Sequence, residues 1–111
     1  MSDNPPSDPK KIKTRIVEQI HSGQVHLTLH AQQEMVADHF SADDLVAALA
    51  EGELLENYPN HKRGPCALFN GVTPDQRPIH IVCTTANPVL IVITVYEPKP
   101  PKWLTATQRN Q

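Results

Sequence analysis

His80 and Tyr96 are the pair in this chain best suited to proton chemistry. An imidazole has an unperturbed pKa near neutrality, so His80 can accept or donate a proton, while the Tyr96 phenol can orient an anion or supply the second proton. Both fall in the run Arg77 to Trp103, RPIHIVCTTANPVLIVITVYEPKPPKW, which reads as a β-hairpin. Ile79 to Thr85 and Val89 to Tyr96 are rich in Val, Ile and Thr and flank the turn signal Ala86-Asn87-Pro88. A three-residue loop there sets Val89 opposite Thr85, Ile91 opposite Cys83, Ile93 opposite Ile81 and Val95 opposite Ile79, so one face carries only apolar side chains and Cys. The other face then holds His80, Val82, Thr84, Leu90, Val92, Thr94 and Tyr96, with Thr94 directly opposite His80 and Tyr96 one pleat away. Such facing polar pairs suit a small nuclease or a binding groove, and equally any half-exposed sheet.

The elements that must position this face come earlier in the chain. Residues 1–7 (MSDNPPS) are polar and Pro-rich and are expected to be a disordered leader. Asp8 and Pro9 make an N-cap with proline at the first helical position, and Ile12, Ile16, Val17 and Ile20 recur at helical spacing until His21-Ser22-Gly23. Val25 to Leu27 reads as a short extended link. Thr28 caps a second helix to about Asp38, and Ser41 with Asp44 forms a capping box for a third that Gly52 ends. Beyond Gly52 the period changes to two: Glu53 to Tyr58, Pro65 to Asn70 and the hairpin make four strands. Helices followed by strands imply an α+β domain, its N-terminal helices packed on one face of a four-stranded antiparallel sheet. One domain is expected over 8–104, with a flexible tail at 105–111.

Composition narrows the function classes. With 111 residues the chain is one domain, and a net charge of −2 excludes the global basic field of a DNA-coating protein. No apolar run is long enough to span a membrane and the N-terminus lacks an apolar signal core, so a cytoplasmic location without membrane association is expected. His61, Cys66, His80 and Cys83 are metal-ligand types, but His80 and Cys83 fall on opposite faces of a strand and no Cys-x-x-Cys pair exists; no metal site is expected. Phosphate-loop, dinucleotide and serine-hydrolase fingerprints are absent, and no cofactor is expected.

Leu29-His30-Ala31, the helix start Ser41-Ala42-Asp43-Asp44-Leu45, Glu56-Asn57-Tyr58-Pro59, Pro65-Cys66-Ala67-Leu68, Arg77-Pro78-Ile79-His80-Ile81-Val82 and Ile93-Thr94-Val95-Tyr96-Glu97-Pro98 with Trp103 occur in an ordered series. That series, over roughly residues 26–103, resembles the bacterial family known as domain of unknown function 4258. The resemblance implies a RelE-like fold and a relation to RelE and MqsR toxins, and hence a metal-independent messenger-RNA endonuclease partnered by a zinc-finger antitoxin. Where family members often carry an Arg-rich helix after the His-Ala pair, this chain has Gln32-Gln33-Glu34-Met35-Val36-Ala37-Asp38-His39. RNA cleavage of this kind needs a base for the 2′-hydroxyl, an acid for the leaving oxygen and cations for the phosphorane. His80 and Tyr96 fill the catalytic roles with His30 as a second acid/base group, and Lys62, Arg63, Arg77 and Thr94 are the substrate-binding set. The alternative is a non-catalytic binding or homodimerisation module. On that reading His80 bonds Tyr96 or Thr94 as an ordinary strand histidine, and Trp103 folds back over the sheet end.

Overall fold

The computed structural model describes residues 8–110, so the expected leader lies outside the described residues. Asp8 caps α1 (Pro9–His21), accepting from the Lys10 amide at 3.0 Å. β1 (Val25–Leu27) follows, then α2 (Leu29–Ala37) capped by Thr28, and α3 (Ala42–Glu51), where Ser41 and Asp44 complete the reciprocal capping box. β2 (Glu53–Tyr58), β3 (Cys66–Val72), β4 (Pro78–Thr84) and β5 (Leu90–Tyr96) complete an α+β domain with three helices on a sheet. No helix among the described residues is long and apolar enough to cross a membrane.

The sheet differs from the four antiparallel strands expected. It has five strands in the order β1-β5-β4-β3-β2, and β1 pairs parallel with β5. At three residues β1 is too short to display a period, so its strand character comes from pairing and not from its own sequence. Past the end of β1, α2 takes over the exposed edge of β5. The Glu34 carboxylate accepts the Val95 amide at 2.9 Å, Asp38 accepts the Glu97 amide at 3.0 Å, and the Thr28 hydroxyl donates to the Ile93 carbonyl at 3.1 Å. Backbone groups that would lack partners are thereby satisfied.

The hairpin register also departs from expectation. His80 lies opposite Tyr96, Ile81 opposite Val95 and Val82 opposite Thr94, after which a bulge puts Cys83 opposite Val92. Thr94 is therefore not the partner of His80. The extra residue moves Leu90 and Val92 to the core while Ile91 and Ile93, expected inside, are only half-buried. The connection between β4 and β5 spans residues 85–89 instead of three residues. Arg15 and Gln19 of α1 reach the Asn87 carbonyl at 2.9 and 2.7 Å, and Gln19 also reaches that of Pro88, which holds the wider loop against the helix.

The helices cover one sheet face. Ile12, Ile16, Met35, Phe40, Leu45 and Leu49 meet Phe69, Ile79, Ile81, Leu90, Val92 and Val95 there. Helix and sheet approach closely at Gly71, where an added Cβ would lie 2.6 Å from the Ala48 carbonyl oxygen and 2.9 Å from its Cβ.

Candidate functional site

The second face presents three rows across the strands: Tyr58, Cys66 and Thr84; Glu56, Leu68, Val82 and Thr94; and Glu53, Asn70, His80 and Tyr96. A bulge between Leu54 and Glu56 turns Glu56 and Tyr58 onto this face. Residues 98–110, which include most of the expected flexible tail, fold back over it as a strap. Trp103 bridges Arg109, the Asn110 amide donates to the Lys102 carbonyl at 2.9 Å, and Trp103 is sealed at 1% exposure. The indole supplies the apolar cover that holds this segment down, a large area of side chain set against the sheet.

His80 lies fully buried beneath it. Its Nε2 is 2.6 Å from the Ala106 carbonyl, which can only accept, so Nε2 bears the proton. Nδ1 is then the acceptor for the Tyr96 hydroxyl at 3.1 Å, and the Tyr96 oxygen in turn accepts the Trp103 indole N–H at 3.2 Å. Every donor in this relay meets one acceptor only when the imidazole is neutral. The Trp103 and Tyr96 rings pack edge-on against it, with centroids at 4.4 and 5.2 Å. Burial pushes the His80 pKa below its ordinary value; the Ala106 hydrogen bond and the Glu56 charge oppose this, while Arg109 and Lys102 add to it. Burial likewise raises the Tyr96 phenol.

Beside this relay stands a second cluster that pattern reading missed. Arg109 grips Glu56 with two bonds of 2.8 and 2.7 Å, stacks over the Trp103 ring at 4.5 Å and reaches the Tyr58 hydroxyl at 3.4 Å; Tyr58 also bonds Glu56. The Arg109 hydrogen bond holds the Glu56 carboxyl down at about 2, and burial followed by the Glu56 bond pushes Tyr58 up to about 12. Alternation alone sets Glu56 and Tyr58 on one strand face, so that signal was present. Nothing local in the sequence ties Arg109 to either of them.

The remaining expected site residues lie apart. Thr94 is half-buried in the row beyond His80. Arg77 donates to the carbonyls of Asp38 at 2.6 Å and His39 at 3.0 Å, pairs with Glu97 at 2.9 Å and covers the Phe40 ring at 4.3 Å, so it fastens α2 to the sheet. His30 sits on α2 beside Glu34 at 3.2 Å, away from the strap. Lys62 and Arg63 are exposed in the turn that follows Tyr58. Among the described residues no group of three His, Cys, Asp or Glu side chains is arranged to hold a metal ion.

A family model described as domain of unknown function 4258 matches residues 27–97, more than half of the chain, and ends just before the strap. No curated protein and no solved structure matches. The chain thus belongs to the domain of unknown function 4258 family.

Proposed function

We propose that this domain acts by binding and not by cutting, as a non-catalytic module of its fold. The burial of His80 carries this reading. A general base must come within hydrogen-bond reach of the proton it takes, and both His80 nitrogens are already engaged by the chain's own Tyr96 and Ala106. Arg77 is engaged by Asp38, His39 and Glu97, and His30 stands exposed on α2 beside Glu34, so neither adds a phosphate clamp beside His80.

The second reading is a metal-independent ribonuclease toxin related to RelE and MqsR, held by a zinc-finger antitoxin. One observation favours it: the Glu56 carboxylate, the His80 imidazole and the Tyr96 phenol share a sheet face, and a base and an acid are what the reaction needs there once the strap lifts. Expression in a bacterial host separates the two. Binding alone predicts normal growth with intact RNA, whereas growth arrest with RNA loss, abolished by His80→Ala in protein that stays folded, overturns it.

A further inference from the structure

Charge is divided unevenly along this chain. Residues 16–61 contain eight Asp and Glu and no Lys or Arg, while residues 98–111 contain Lys99, Lys102 and Arg109 and no acid. The turn at residues 59–65 adds Lys62 and Arg63, again without an acid. Folding brings the strap and the turn together. Lys102 lies over the Tyr96 ring at 5.6 Å and Arg109 over the Trp103 ring at 4.5 Å. The turn leaves Tyr58, which itself touches Arg109. The strap and the turn together carry five cations and no carboxylate, beside a sheet face that bears Glu56 and Glu53, on a molecule whose net charge is −2.

The chemistry between the cations selects the partner. Thr105, Thr107, Gln108 and Asn110 are exposed along the strap and offer hydroxyl and amide donors, and Leu104 is its one large exposed hydrophobic side chain. Protein partners favour an apolar centre depleted of charge, whereas nucleic-acid surfaces are polar and strongly positive. Resting on the binding reading above, we propose that the strap and the turn at residues 59–65 bind the phosphodiester backbone of a nucleic acid, with Lys62, Arg63, Lys99 and Lys102 meeting successive phosphates. Arg109 already holds Glu56 and fixes the strap in place. Backbone contacts of this kind carry no base sequence.

The test is fluorescence anisotropy of the full chain with labelled single-stranded and duplex RNA and DNA across a salt series. Four phosphate contacts predict a slope of log affinity against log salt of about −3 on single strands. Replacing Lys62, Arg63, Lys99 and Lys102 together with Gln, all four being exposed, should weaken binding at least tenfold and flatten the slope, with the circular dichroism spectrum unchanged. Binding of RNA, of DNA or of both supports the proposal and identifies the source of the phosphates. It is overturned by no binding at about 50 mM salt, where such contacts are strongest, or by binding that survives the fourfold substitution. Salt-sensitive self-association that the substitution abolishes, seen by light scattering in place of nucleic-acid binding, overturns it as well, since the acidic stretch of a second copy is then the partner. The growth experiment tests the binding reading separately.

Discussion

The two faces of the sheet are closed by different forces. Beneath the helices, side chains from α1, α2 and α3 interdigitate with those of β3, β4 and β5, and burial of apolar area dominates. Under the strap, one indole supplies most of the apolar cover and the rest is a polar relay through Tyr96 and His80 together with the Glu56–Arg109 pair. Polar closure depends on matched protonation and specific partners; apolar closure does not. The strap face should therefore open under conditions that leave the helical face intact.

Substitutions can break that contrast in order of size. Phe69→Ala removes a ring from the helical side and should cost about 3–5 kcal/mol, lowering the denaturation midpoint of the whole domain. Trp103→Ala should cost the strap about 3 kcal/mol, yet hydrogen exchange should show core amides of β3 and β4 still protected while residues 98–110 lose protection. Loss of protection throughout would mean that the two faces are one cooperative unit.

Acid should act on the strap side first. The folded His80 pKa is depressed, so its contribution is full above its ordinary 6.5 and is lost as pH falls below that value. Glu56, held at about 2, contributes above its ordinary 4.5 and is lost as pH falls toward 2. Tryptophan fluorescence should therefore report exposure of Trp103 at a higher pH than that at which the helical circular dichroism signal collapses. Coincident transitions would count against separate closure. Arg109→Gln should have the smallest effect, about 1 kcal/mol on strap docking, because the pair it breaks is partly exposed. A urea series monitored by the same fluorescence measures it.

Local signals read well and distant ones did not. Asp8, Thr28 and the Ser41–Asp44 pair marked the helix starts because caps act within a few residues. The pairing of His80 with Tyr96 was close to legible, since alternation put both on one face of a hairpin. The bulge near Ile93 was not, because it answers to Thr28 and Glu34, which are distant in sequence and take the edge of β5 where β1 ends. The return of Trp103 over the sheet end was expected and is seen. The rest of the strap was hidden, because residues 105–110 read as a flexible tail and only the folded sheet shows that Arg109 has Glu56 to meet.

The state of His80 tests the account most directly. A nitrogen-15 NMR titration of its imidazole should show the neutral Nε2–H tautomer at pH 7 and a pKa below 6.5, as a buried ring shared between Tyr96 and Ala106 requires. A ring that titrates at or above 6.5, or that carries its proton on Nδ1, would contradict the closed strap and return His80 to the candidates for catalysis.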